Sequence, residues 1–299
     1  MNIQLIKALE TLQPAKLVQI SQAIKLDMLK TLTLIADINN KDEGLIVERA
    51  GIYSLSRPIN WLQHAKLKEL LADRKLTHQF ILFDKISSTN TYALNNMANF
   101  YTFPIFINGE MQSGGRGRLG RIWTSKVSYD ITLSLIYQFP LDTIITIMPI
   151  LTAVAINRLL KNYSVRNQIK WPNDIYANGE KVCGILVENL LRNQINHCVI
   201  GIGLNNIENW ERNKLVADLV YEVDKLISEY NLFGFPLLQR EWLDNCIHYR
   251  KPITLRNQHE VVATGIHHSI SPIGELIVDT ENGKQVFNSS ALSLRFDDK

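Results

Sequence analysis

The sequence predicts an α+β protein in three segments, on three observations. Apolar residues recur at helical spacing near the start. The middle mixes alternating strand-like runs with long helical stretches, without regular β–α alternation. The last fifty residues are short strand-like runs broken by turn residues. A chain of 299 residues has room for two or three domains and a sizeable core. Its 46% apolar and 20% charged residues are an ordinary globular balance.

Residues 1–60 read as a small helical unit ending in a hairpin. Ile3, Ile6 and Leu9 share a helix face. Pro14 is placed to open a second helix with Leu17 and Ile20 inward. A third helix spans about Asp27–Ile38. Two short strands then flank the turn at Arg49–Gly51. Three helices and a β-wing make a winged helix-turn-helix pattern. Residues 61–75, with a polar helix around His64–Arg74, read as a linker.

Residues 76–249 form the main body. Strands are expected at Phe80–Phe83, Phe103–Ile107, Ile131–Tyr137 and His197–Ile202, and helices at Thr89–Met97, Ile144–Tyr163 and Lys214–Tyr230. Asp174–Glu188 reads as a hairpin turning at Asn178-Gly179. The mixture predicts a mixed sheet with helices on one face. Residues 250–299 suggest a small β-barrel of the SH3 type, with turns at Pro272, Gly274 and Asn282-Gly283.

Composition excludes some classes. A net charge of +3 is too small to indicate a partner, although a local basic patch can hide under such a total. Cys183, Cys198 and Cys246 form no C-x-x-C pair, which points away from disulfides and zinc and towards a reducing, cytoplasmic location. The N-terminus has no apolar core of the signal-peptide kind. The most apolar stretch, Ile144–Ile156, is shorter than the roughly 20 residues a bilayer needs, and Pro149 interrupts it. No membrane is expected as a partner.

The most informative segment is Gly114-Gly115-Arg116-Gly117-Arg118-Leu119-Gly120-Arg121-Ile122-Trp123. Gly115, Gly117 and Gly120 match G-x-G-x-x-G, but a dinucleotide site needs a helix directly afterwards, and here a strand follows. A kinase glycine loop does sit between strands, yet no H-R-D or D-F-G segment accompanies it. The arginines offer another reading. Glycine lets a backbone approach a phosphate, and each guanidinium presents forked donors to phosphate or carboxylate oxygens. Such a loop is expected to be mobile until an anion arrives. A solvated basic loop or a nucleic-acid contact fits the same residues.

Lys170-Trp171-Pro172-Asn173-Asp174-Ile175 leads into the Asn178-Gly179 hairpin, whose return strand carries Lys181 and Gly184. So tight a hairpin brings Asp174 and Lys181 together. The pair suits an acyl-phosphate site, or is an idle surface salt bridge. Ser87-Ser88-Thr89-Asn90-Thr91 opens a helix and is either an N-cap or a polar-ligand site.

Together these pieces resemble the biotin–protein ligases, including the bifunctional ligase and biotin-operon repressor type. The matching motifs are Ser88-Thr89-Asn90, Gly115–Trp123, Lys170–Asp174, Lys181 with Gly184–Glu188, and Gly201-Ile202-Gly203-Leu204-Asn205, in the family's order. The likeness covers roughly residues 76–299 and reaches the N-terminus in outline. It implies a class II synthetase-like ligase core and ATP-dependent formation of biotinyl-5'-AMP, with Mg2+. Biotin would then pass to a lysine of a biotin carboxyl carrier protein domain, as in acetyl-CoA carboxylase. It further implies operator DNA as a possible partner, and homodimerisation.

Residue roles follow from the same resemblance. Ser88, Thr89, Asn90 and Gln112 would hydrogen-bond the biotin head, with Arg116, Gly117 and Arg118 closing over biotin and its adenylate. Arg121 would bind phosphates and Trp123 would pack near the adenine. Asn173 and Asp174 would organise the nucleotide, Asp174 with magnesium. Lys181 would lie near the biotin carboxylate and the α-phosphate; Lys181, Arg116 and Arg118 would carry the catalysis.

Two departures stand out. After Asn205 the chain enters the Lys214 helix through Asn206–Asn213, a shorter segment than in the bifunctional members. The adenylate would be held less tightly, or Trp210 would be a partial substitute. The recognition-helix segment Lys25–Thr33 offers Lys25 and Lys30 for DNA, alongside Asp27. Residues 1–60 carry seven basic and six acidic side chains, a balance of only +1. A ligand-sensing DNA-binding regulator without useful catalysis and a lipoate–protein ligase are the competing readings.

Overall fold

The computed structural model of the chain describes residues 3–296; the first two residues of the N-terminal segment and the last three of the C-terminal one lie outside that range. Helix α1 (Ile3–Leu12) buries Ile3, Leu5, Ile6 and Leu9. Pro14 does not open the next helix. Ala15–Lys16 instead form an edge strand β1, and α2 (Leu17–Ala23) starts after it, with the Gln19 side chain accepting from the Lys16 N–H at 2.8 Å. Ile20 is fully buried, whereas Leu17 is half-buried. In α3 (Met28–Lys41), Asp27 accepts from the Lys30 N–H as N-cap. Strands β2 (Ile46–Arg49) and β3 (Ile52–Leu55) complete an antiparallel sheet of order β1-β3-β2.

This unit is not insulated from the body. Its apolar core includes Met111 and Val127. The Asp42 carboxylate accepts from Arg57 at 2.5 Å and from the Val127 N–H at 3.0 Å. The stretch read as a polar linker is a helix, α4 (His64–Asp73), that packs on the body. Its Leu67 and Leu71 are buried in the main core, so its polar residues mark a solvent face rather than an isolated spacer.

The body is a seven-stranded sheet of order β4-β5-β6-β10-β9-β8-β7, comprising β4 (Gln79–Phe83), β5 (Ile105–Gly109), β6 (Ile131–Pro140), β7 (Asn167–Lys170), β8 (Asp174–Ala177), β9 (Glu180–Arg192) and β10 (Ile195–Leu204). Only β4 and β5 run parallel. Asn178 and Gly179 turn with φ of 52° and 79°, the left-handed pair a two-residue hairpin needs. Asn193 and Gln194 repeat that turn, a hairpin the sequence reading missed because neither residue is glycine.

Alternation assigns the two faces. Leu133, Leu135, Cys198, Ile200 and Ile202 face α6 (Met148–Asn162) and α7 (Arg212–Phe233), whose apolar residues form the main core. Helix α8 (Phe235–Asp244), also unanticipated, adds the fully buried Trp242. The opposite face carries α5 (Thr89–Asn96), packed on Ile105, Ile107, Ile136 and Val199. Helices therefore cover both faces, not one.

The C-terminal sheet has order β14-β13-β12-β11-β15, from β11 (Pro252–Arg256), β12 (Val261–Ile270), β13 (Leu276–Thr280), β14 (Gly283–Phe287) and β15 (Ser293–Phe296). Ile253, Leu255, Ile270, Leu276, Val278 and Leu294 join the main core, so the sheet is fused to the body.

Candidate active site

On the α5 face, cross-strand register aligns small residues. Gly201 pairs with Ser134 and Leu186. Gly203 pairs with Thr132 and Gly184, and Gly184 with Asp174. A side chain at Gly201 would overlap the Asn90 amide, and one at Gly203 the Trp123 indole. One at Gly184 would approach Trp123 to 3.0 Å and Lys181 Nζ to 3.2 Å. The glycines hollow the sheet, and a cleft of about 330 Å3 opens above them. Gly203→Ala is therefore expected to push the Trp123 ring off the sheet and raise acrylamide quenching of tryptophan fluorescence. Unchanged quenching would mean the ring does not rest there.

One end of the cleft is polar and buried. Ser88 caps α5 and accepts from the Thr91 N–H at 3.4 Å. Gln112 Oε1 accepts from the Thr89 N–H at 2.8 Å. Asn90 Nδ2 donates to the Leu186 carbonyl at 3.1 Å and to Glu188 at 2.9 Å. Ser134, which sequence reasoning did not single out, lies with its Oγ 2.7 Å from Thr89 Oγ1 and 2.5 Å from Asn90 Oδ1. Strand alternation on β6 was the signal that could have found it, because it puts Thr132 and Ser134 on the site face.

The middle is walled by Trp123, Trp171, Pro172 and Leu186. The far end is cationic: Arg118, Arg121, Lys170, Lys181 and Arg295 line the cleft there, whereas Arg116 pairs with Glu188 beside Asn90, and Asp174 is the sole carboxylate among the described lining residues. Lys181 Nζ lies 2.7 Å from Asp174 Oδ1 and 5.6 Å from the Trp123 ring centroid. Burial lowers the pKa of Lys170 against the opposing pull of Asp174, and Arg295, Lys181 and Arg121 push it the same way as burial. Burial likewise lowers that of Arg118, offset by Asp174. So much like charge around one carboxylate is costly without an anionic ligand. Arg295 and the loop before β15 reach the cleft from the C-terminal sheet. No local motif marks them, because the approach is made by tertiary packing.

The glycine–arginine loop, expected to be mobile until an anion arrives, makes several internal contacts. Gly117 N–H donates to the Arg121 carbonyl at 2.7 Å and Trp123 N–H to that of Gly115 at 2.9 Å. Arg116 pairs with Glu188 at 2.8 Å. Arg118 donates to Asn173 Oδ1 at 3.3 Å, to the Leu292 carbonyl at 3.3 Å, and to that of Ser289. No helix follows Gly120; a single 3-10 turn, Arg118–Gly120, leads on towards β6, as the argument against a dinucleotide fold requires.

Ser88, Thr89, Asn90, Gln112, Arg116, Gly117, Arg118, Arg121, Trp123, Asn173, Asp174 and Lys181 thus line one cleft. Trp210 does not join them: it packs edge-on against Tyr163, with ring centroids 5.1 Å apart. Lys25 and Lys30 lie far along the chain's fold, at the turn before α3 and in its first turn. Lys30 Nζ is 3.1 Å from Asp27. The exposed surface beside it is apolar, with Met28 54%, Leu29 75% and Leu32 41% exposed.

Residues 82–205, which supply most of this cleft, match the family model described as the Biotin/lipoate A/B protein ligase family. That match spans under half of the chain and marks this segment as similar to the family. Two similar proteins are named bifunctional ligase/repressor BirA. That of Bacillus subtilis (strain 168) is 28% identical over 170 residues, and the match spans only 52% of its length and 55% of this chain. That of Escherichia coli (strain K12) is 26% identical over 272 residues, covering 82% of its length and 83% of this chain. Among solved structures, the biotin protein ligase from Aquifex aeolicus in complex with biotin and ATP shares the fold. It has a TM-score of 0.63 at 20% identity, over 73% of this chain and 99% of that one.

Proposed function

We propose that the chain activates biotin with ATP as biotinyl-5'-AMP and transfers the biotin to a lysine of a biotin carboxyl carrier protein domain. The observation that carries this reading is the polarity gradient of the cleft. Its buried end offers donors and acceptors from Thr89, Asn90, Gln112 and Ser134, its middle is apolar, and its far end is cationic. A ureido ring satisfies the polar end, a valeryl chain the middle, and a carboxylate meeting phosphates the cations. The dithiolane of lipoate would make no hydrogen bond with the polar end, which disfavours the lipoate reading.

The chemistry brings anions together. A biotin carboxylate oxygen attacks the α-phosphorus and pyrophosphate leaves; the acceptor amine then attacks the acyl carbon and AMP leaves. Lys181, Arg118 and Arg121 neutralise that charge and position the groups, while the glycine–arginine loop screens the anhydride from water. Trp123 over Gly203 is placed to pack on the adenine. One carboxylate, Asp174, beside Asn173, fits a magnesium ion that arrives with nucleotide phosphates rather than one held by a protein cage.

The order of helices and the β2–β3 hairpin supports reading residues 1–60 as a winged helix-turn-helix; the seven-stranded sheet supports 76–249 as the catalytic domain, and the five-stranded antiparallel sheet supports 250–299 as a small SH3-type unit. That architecture and the BirA relatives support a second role as a biotin-operon repressor acting as a liganded homodimer. The apolar face of α3 weighs against tight operator binding. No helix among the described residues is long and apolar enough to cross a membrane. Cys183, Cys198 and Cys246 are buried and unbridged, which suits the cytosol.

Incubation with ATP, Mg2+, a carrier domain and either labelled biotin or labelled lipoate tests the ligase reading. Label from biotin alone is expected; an unlabelled carrier would sink it, and label from lipoate would redirect it. A mobility-shift titration on a biotin-operon fragment at stated salt tests the repressor. A shift no tighter than on random DNA would remove that role.

A further inference from the structure

The C-terminal sheet grips the Lys170–Asp174 segment through two buried histidines that the mechanism above does not use. His248 follows α8, His267 sits on β12, and both are fully buried. The Trp171 backbone N–H donates to His248 Nε2 at 3.0 Å, so that nitrogen is an acceptor. A neutral His248 then carries its proton on Nδ1, which lies 3.1 Å from His267 Nδ1. His267 Nδ1 accepts, and its own proton sits on Nε2, 3.2 Å from the Ser269 carbonyl oxygen. Each ring nitrogen has one role, and only two neutral rings fill them all. The Trp171 indole adds a second tie, Nε1 donating to the Gly274 carbonyl at 3.1 Å.

Cys246, His248 and His267 also bring three ligand atoms within 4.8 Å of one another. A metal there conflicts with the hydrogen bonds. If His248 Nδ1 gave its lone pair to a cation, Nε2 would carry the proton and face the Trp171 N–H, donor against donor. Among neighbouring groups, Lys170 and Lys251 disfavour added positive charge on His248, as His268 does on His267. The Cys246 thiol is pushed up by burial and stays neutral.

We propose that His248 and His267 are positioning residues: their relay fixes the backbone at Trp171 and so sets Asn173 against Arg118 and Asp174 against Lys181. This rests on the ligase reading for its kinetic consequence, but not for its structural one. Asn173 Oδ1 accepts from Arg118, and Asp174 pairs with Lys181, so a shift at Trp171 moves both partners. The biotin-head end hangs on α5 and Gln112 and is not part of the relay.

Burial holds His248 well below the ordinary histidine value and takes His267 down to about 4. Both rings stay neutral when folded but titrate near 6.5 when unfolded. Stability conferred by the relay is therefore present above the unfolded value and is lost as pH falls from 6.5 towards 4.

Long-range 15N–1H spectra of the full chain at neutral pH should show His248 protonated on Nδ1 and His267 on Nε2. The opposite tautomer at His248, or stoichiometric bound metal, overturns the relay. In single-turnover adenylate formation, His248→Asn leaves the Trp171 N–H unpartnered, whereas His248→Gln restores an acceptor near Nε2. The Asn variant is expected to slow the step about tenfold while biotin Kd stays within about twofold, and the Gln variant to recover to within about threefold. Equal losses in both variants, with biotin affinity falling in parallel, would make the histidines packing residues and refute the proposal. If wild type forms no adenylate, the ligase reading fails, and the tautomers still judge the relay.

Discussion

Lys181→Ala is expected to slow biotinyl-adenylate formation by about 100- to 1000-fold, the range for removing one preorganised charge from a reacting centre. Lys181 Nζ is held 2.7 Å from Asp174 and beside the side-chain-free edge of Gly184. On the proposed reading, biotin carboxylate and α-phosphate would meet beside this ammonium. Its removal also leaves the Asp174 carboxylate facing those anions without a partner. Biotin affinity should change less than about tenfold, because the proposed site of the head group is the opposite end of the cleft. Folding should be nearly unaffected: the side chain is 35% exposed, and such a pair is worth about 0–1 kcal/mol. Single-turnover measurement of adenylate against a biotin-binding isotherm separates these terms. A rate within about threefold of wild type would remove Lys181 from the reaction. Arg118→Ala shares the direction, with adenylate release also faster, because Arg118 bridges Asn173 and the Ser289–Leu292 carbonyls.

The largest stability loss is expected from Arg212→Ala, about 3–5 kcal/mol, the usual cost of stripping one partner from a buried ion pair. Arg212 is fully buried and lies 2.8 Å from Glu110. It also donates to the Asn60 carbonyl at 2.5 Å and to that of Asp130 at 3.1 Å. Burial lowers its pKa, and Glu110 opposes that shift. Glu110 in turn accepts from the Leu62 N–H and Ser128. Asp130 accepts from the Lys126 and Asn206 N–H groups, and burial raises its pKa. One guanidinium thus joins the chain leaving the N-terminal unit, the root of the glycine–arginine loop and the segment after β10. Alanine would strand the Glu110 charge in a dry interior. Equilibrium urea unfolding gives the number, and a loss below about 1 kcal/mol would contradict the hub. Arg212→Met combined with Glu110→Gln should recover part of it, since the cost lies in the unpaired charge rather than in a missing bond.

That hub also accounts for the short segment after Asn205. Asn206 bonds Asp130 through its backbone and Trp210 through its side chain, and Trp210 turns to Tyr163. The segment is committed to bracing the loop root.

Local signals determined much of this protein. Alternation and helical periodicity placed most strands and helices, because burial of one face imposes its period on the sequence. Asn178-Gly179 marked the hairpin, since its left-handed φ values favour those residues, and that hairpin alone brought Lys181 to Asp174. The order of the motifs pointed to biotin–protein ligase chemistry. Only the tertiary structure decided the rest. Register across β6, β10 and β9 turned scattered Gly184, Gly201 and Gly203 into one slot, and put Ser134 beneath Asn90. Packing of α4 made a supposed linker part of the core. Fusion of the C-terminal sheet delivered Arg295, the Arg118 acceptors and the His248–His267 relay. These contacts join residues tens to hundreds of positions apart. Periodicity reports which face a residue shows, but not what lies opposite it, so the polar groups that hold the site together were invisible until the chain was folded.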